Sequence, residues 1–65
     1  MNWRDHIQHD ESVCNGQACV RGTRIPVTVV LDSLQAGLSI DEVTSEYPSL
    51  AADSIRACMA YAAEK

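Results

Sequence analysis

Phenylalanine is absent, and Trp3, Tyr47 and Tyr61 are the only aromatic side chains in the 65 residues. So few rings cannot make a stacking platform for single-stranded nucleic acid. Cations are scarce as well: five Lys and Arg face nine Asp and Glu, giving a formal net charge of -4. Affinity drawn from phosphate neutralisation needs clustered Lys and Arg, so this balance makes DNA binding weak and favours a basic protein partner. No run of ~18 apolar residues is present, which excludes a membrane-spanning helix. No apolar secretory segment follows Met1, and three cysteines is an odd number. Together these imply a reducing, cytoplasmic compartment with Cys14, Cys19 and Cys58 as thiols.

Recognisable catalytic and cofactor machinery is missing too. There is no Gly-rich phosphate loop, no H-E-x-x-H and no C-x-x-C. The chain is too short to wall a pocket around a nucleophile and its base, so neither enzyme activity, nor a small-molecule substrate, nor a cofactor is expected. His6, His9, Cys14 and Cys19 offer two nitrogens and two sulfurs. Their H-x2-H-x4-C-x4-C spacing is not a usual zinc rhythm, and buried thiols with solvated histidines are the expectation. Nothing repeats and no linker interrupts the chain, so residues 1–65 are read as one domain. A domain this small buries only about 60% of its unfolded surface and gains from association.

The positive content centres on Cys19-Val20-Arg21-Gly22-Thr23-Arg24-Ile25-Pro26-Val27. Gly22 permits a positive φ and hence a sharp bend between two arginines. Pro26 holds Ile25 extended and pre-sets φ for a helix start. Two guanidiniums are thereby placed near one bend, each with a fork suited to carboxylate or phosphate. They can grip an acidic partner, or pair with the chain's own carboxylates.

Before that bend the signals are local. Residues 1–12, with Ile7 alone among polar neighbours, read as a surface arm or short edge strand. Asn15-Gly16 is a two-residue turn signal between Val13-Cys14 and Ala18-Cys19-Val20, giving a β-hairpin and turn over 13–25. After the bend, helical spacing of Val27, Val30, Leu31, Leu34 and Leu38 predicts a helix from about Val27 to Ala36, stopped at Gly37. Ser39-Ile40-Asp41-Glu42 is a capping box with Leu38 and Val43 as its staple, and Pro48 ends that second helix at Tyr47. A third helix runs from about Ala52 to Glu64, with Ala51 at a cap position where it supplies no side-chain acceptor. From Ala57 to Ala63 every residue is apolar or amphipathic. No other part of so short a chain is expected to cover the second side of that helix, so Ala57, Met59, Ala60, Tyr61 and Ala63 are assigned to a homodimer interface.

The second and third helices, joined by Pro48-Ser49-Leu50, have the spacing of a helix-turn-helix within a three-helix bundle over 27–64. Residues 51–54 hold no Arg, Lys, Asn or Gln for base reading, and only Arg56 is placed for a DNA contact.

The run from Val20 to Val27 with Arg21-Gly22-Thr23-Arg24-Ile25-Pro26-Val27, then Gly37-Leu38-Ser39, Tyr47-Pro48 and Tyr61-Ala62-Ala63-Glu64, resembles the bacterial and archaeal family called domain of unknown function 433. That resemblance implies a mainly α, homeodomain-like three-helix fold with a short N-terminal β element, often dimeric. Its members look like antitoxins paired with small PIN-like ribonuclease toxins. Arg21, Gly22, Thr23, Arg24 and Pro26 match the signature and are read as structural first and partner-binding second. Two positions depart from the pattern: Gly16-Gln17-Ala18 stands where the family often has Gly-Lys-Pro, and Ala51 where it often has Thr. The expected function is neutralisation of a basic ribonuclease toxin, with autoregulation of its operon. A dimeric helix-turn-helix DNA-binding regulator is the other reading, favoured if Arg4, Arg21, Arg24 and Arg56 form a basic stripe across a dimer.

Overall fold

The computed structural model describes residues 2–64, without the side chains of Asp10, Val13 and Cys14. A single 3-10 turn, Trp3–Asp5, leads into β1 (Ile7–Asp10) and β2 (Val13–Val20), followed by α1 (Val27–Gln35), α2 (Ile40–Glu46) and α3 (Ala52–Glu64). The two strands form an antiparallel hairpin. The architecture is three helices plus this small two-stranded sheet.

The hairpin differs from the one read off the sequence. Its turn joins β1 to β2 at residues 11–12, and the segment expected to be an arm supplies the first strand. Ile7 faces Val20, Gln8 faces Cys19 and His9 faces Ala18, after which Asp10 pairs with Val13, so residues 14–17 intervene on one side only. Asn15 and Gly16 still take positive φ, 53° and 81°. An Asn-Gly pair satisfies that local demand inside a bulged strand as well as in a hairpin turn. Strand choice followed burial instead: Ile7 and Val20 are both in the core, 4% and 2% exposed.

The helices lie where the spacing placed them, because their ends are coded locally. At the end of α1, Leu38 N–H donates to Ser33 O (3.2 Å) and Gly37 N–H to Leu34 O (3.0 Å), with Gly37 at φ 103°. These are the two bonds of a Schellman stop. Ser39 Oγ accepts from Glu42 N–H (3.1 Å) while Glu42 Oε1 accepts from Ser39 N–H (2.8 Å), closing the capping box of α2. Pro26 caps α1 with φ -65° and ψ 147°, extended rather than already helical. Val27, Val30, Val43, Leu50, Ile55, Ala57 and Cys58 form the core between the helices, and Ile7 and Val20 close it from the hairpin.

The cysteines depart from expectation. Cys19 is disulfide-bonded and Cys58 is a free thiol, whereas all three had been expected as thiols. An odd count requires that at least one thiol be left over, and among the described residues Cys58 is free. A disulfide at Cys19 removes the support that three thiols would give to a reducing compartment; Cys14's own side chain lies outside the described residues. No helix among the described residues is long and apolar enough to cross a membrane.

Two expectations follow. Ala51 O accepts from Ser54 N–H (3.0 Å) and Ile55 N–H (3.3 Å), so Ala51 is the cap residue of α3. Ala51→Thr supplies the missing acceptor and should raise stability by about 0.5–2 kcal/mol in urea melts. Cys58 is fully buried, and that burial pushes its thiol from 9.0 up to about 11. As pH rises between those values the unfolded chain releases this proton while the folded chain keeps it. The associated stability is therefore complete below the unfolded value and declines towards the folded one, by on the order of 2 kcal/mol. Urea melts from about pH 8 to 11 should show that decline in the wild type and not in Cys58→Ala, the variant correcting for other titrating groups.

Candidate functional site

The bend at Val20–Thr23 is a four-residue turn closed by Thr23 N–H donating to Val20 O at 3.0 Å, with Gly22 at φ 83° in its third position. That position of a type II turn calls for glycine. A Cβ on Gly22 would meet nothing within 4 Å, so the requirement is conformational and not one of space. Thr23 locks the next step: its Oγ1 donates to Val20 O (2.8 Å) and accepts from Ile25 N–H (3.1 Å). Val20 N–H donates to Ile25 O (3.0 Å), and Cys19 bridges Pro26, so the chain doubles back before entering α1.

This turn separates the two arginines. The Arg21 guanidinium reaches back over the N-terminal segment, where Nε donates to Asp5 O (3.1 Å) and Nη2 to Arg4 O (3.2 Å) and Ile7 O (3.3 Å). Its backbone N–H adds a 2.7 Å bond to His6 O. Arg24 is exposed and lines a shallow groove of about 550 Å³ with Gln8, Gly22, Thr23, Ile25 and Ser49, while also interacting within the chain. The Arg21 guanidinium is thus turned to the N-terminal segment and Arg24 to the groove. Arg21 satisfies backbone carbonyls.

The segment that Arg21 holds covers one side of α3. Trp3 stands edge-on to Tyr61, with ring centroids 4.9 Å apart and planes at 85°. The Arg4 guanidinium lies 4.5 Å from the Trp3 ring centroid and 3.8 Å from Glu64 Oε1. The Trp3 indole N–H donates to the same Glu64 carboxylate. On the other side, Tyr61 Oη is 3.4 Å from His9 Nε2. The expectation that no part of this chain could cover the second side of the third helix is therefore corrected. Of the five residues assigned to a dimer interface, Ala57 is fully buried in the chain's own core and Tyr61 is half-buried against Trp3 and His9. Met59, 39% exposed, and Ala63 face outward, with Ala60 half-buried.

At the other end of α3, Arg56 Nη1 binds Asp53 Oδ1 at 3.0 Å, one helical turn away. Of the four arginines considered for a basic stripe across a dimer, Arg4 and Arg21 lie together at the N-terminal turn, Arg24 lines its own groove and Arg56 sits beside Asp53. Carboxylates dominate the outer helical surface, where Asp32, Asp41, Glu42, Glu46 and Asp53 are exposed. His6 ends the 3-10 turn, His9 meets Tyr61 and Cys19 is in a disulfide, so these residues do not converge as a zinc site; Cys14 lies outside the described side chains.

Arg21 was singled out by sequence for its charge, yet its hydrogen bonds run sixteen or so positions back along the chain. Arg21→Ala should cost about 1–3 kcal/mol by leaving these acceptors without a charged donor. Arg21→Lys should recover little, because one ammonium cannot reproduce a fork reaching three carbonyls. Urea melts followed through Trp3, the sole tryptophan, read both variants.

Comparison with known proteins adds the lineage. Residues 7–62 match the sequence pattern of DUF433, described as a protein of unknown function. An uncharacterized protein of Sinorhizobium fredii (strain NBRC 101917 / NGR234), y4eO, is 37% identical over 59 residues, which are 91% of this chain and 27% of that protein. The crystal structure of a DUF433 member from Anabaena variabilis ATCC 29413 superposes with a TM-score of 0.87 at 35% identity, over 95% of this chain and 61% of that one. The chain thus spans less than two thirds of the length of either relative. With the match covering the hairpin, the Arg21–Pro26 turn and all but the last residues of α3, this chain belongs to the DUF433 family.

Proposed function

We propose that this protein is an antitoxin-like binding module that neutralises a small, basic, PIN-like ribonuclease toxin. The observation that carries this reading is the division of charge on the surface. Five exposed carboxylates, Asp32, Asp41, Glu42, Glu46 and Asp53, lie along the three helices against one arginine there, Arg56, which pairs with Asp53, while Arg21 donates to backbone carbonyls. Such a surface attracts a cationic protein and speeds its encounter, and it repels a phosphate backbone. We read α2, the turn over 47–51 and α3 as a homeodomain-like helix-turn-helix arrangement used here as a scaffold, since fold alone does not fix function. Homodimerisation belongs to the same proposal, through the outward residues Met59 and Ala63 with the half-buried Ala60 between them.

A DNA-binding regulator is the other reading, and it rests on the two-helix arrangement alone. Its obstacle is Asp53, which sits where a recognition helix would meet the duplex and holds Arg56. Purification of the tagged full chain from its native host under gentle salt tests the choice. A small basic ribonuclease should co-purify and lose activity in the complex. Nanomolar, sequence-specific DNA binding by the isolated chain in physiological salt, with no protein partner, would reverse the order of the two readings.

A further inference from the structure

Between the bulged part of β2 and α1 lies a second groove, of about 500 Å³, that no residue of the Arg21–Pro26 turn lines. Ala18, Val27, Leu31 and Tyr61 give it apolar walls, and His9 and Thr28 stand on its polar rim. Its floor is pre-set by contacts already described. Tyr61 is held by Trp3 and by His9, so its ring is fixed where it lines the groove, and its hydroxyl lies 3.4 Å from His9 Nε2. Apolar walls with a few polar groups at the mouth suit an apolar side chain flanked by hydrogen-bonding backbone.

Two carboxylates stand beside the groove. Glu11 lies against the lining residue Gly16, with its Cγ 3.6 Å from where a Cβ would stand. Asp32 is exposed one helical turn beyond Thr28 on the same side of α1, since residues four apart share a face. None of the described residues lining the groove is Lys or Arg. We infer that this groove is where a partner docks: it takes an apolar anchor side chain carried on a basic segment, whose cations meet Glu11 and Asp32. The basic character of the partner rests on the antitoxin-like reading; the location does not.

The experiment uses the 15N-labelled full chain and three synthetic heptapeptides: Lys-Lys-Ala-Leu-Ala-Lys-Lys, the same peptide with Leu replaced by Ala, and the same peptide with every Lys replaced by Glu. The first should give saturable shift changes at Ala18, Thr28, Leu31 and Tyr61. The other two should bind at least tenfold more weakly. Thr28→Lys, at an exposed position that leaves the core intact, should weaken the first peptide at least tenfold, and Leu31→Glu should abolish it. Changes centred on α2, equal binding of the Glu peptide, or the same residues shifting with protein concentration alone, as a second copy in the groove would cause, would each overturn the inference. Its failure is separable from that of the function proposed above. A toxin that co-purifies equally well with Thr28→Lys leaves the antitoxin reading standing and removes the groove. Peptide binding that Thr28→Lys abolishes, in a chain that captures no basic protein, does the reverse.

Discussion

The Arg21 guanidinium is the contact on which the arrangement of this chain depends. By donating to the carbonyls of Arg4, Asp5 and Ile7 it holds the N-terminal turn and β1 against the end of β2. That position is possible because Gly22, next in sequence, takes a positive φ and turns the following residues away towards α1. With Thr23 bonding on both sides of the bend, the turn fixes how the hairpin meets the helices. A planar fork with five donors suits a cluster of backbone acceptors that no single ammonium could serve.

The consequence reaches the far end of the molecule. A three-helix bundle of this size leaves part of its last helix uncovered, and here the first residues cover it. Trp3 and Arg4 close on Tyr61 and Glu64, an aromatic contact reinforced by a shared carboxylate. Every one of those side chains keeps some exposure, so the contacts are of the modest kind that surface ion pairs and ring edges provide. Anchoring by Arg21 is what makes them cumulative, because the turn is already positioned when Trp3 meets Tyr61. Of these four residues only Tyr61 falls within the family-matched span of 7–62.

The same distribution shapes the surface offered to a partner. Arg4 and Arg56 stay more than half exposed in their pairs with Glu64 and Asp53, and the helices otherwise present the carboxylates of Asp32, Asp41, Glu42 and Glu46 together with the outward side of α3 at Met59 and Ala63. An acidic exterior over a small helical core is compatible with capture of a cationic protein and poorly matched to reading base edges.

Helix ends were legible in the sequence because each is coded within a few residues: Gly37 for the stop of α1, Ser39 with Glu42 for the start of α2, Pro48 for its end, and Ala51 as the cap that lacks an acceptor. The positive φ at Gly22 was legible for the same reason, and so was the helical face of Val27, Val30, Leu31 and Leu34. What tertiary structure decided was every pairing between distant residues. Ile7 reads as a lone apolar residue in a polar arm, and only the hairpin register shows it buried opposite Val20. The Asn15-Gly16 signal specifies backbone angles but not which strand lies alongside, so its use within a bulge is not readable locally. Cys58 and Cys19 differ in state although the composition treats them alike. Ala57 lies in the chain's own core and Tyr61 is half-buried against it because the hairpin closes the core and Trp3, 58 positions before Tyr61, folds back onto α3. Local hydrogen bonding and residue spacing set the elements; burial of apolar surface, which carries no sequence address, chose what each element lies against.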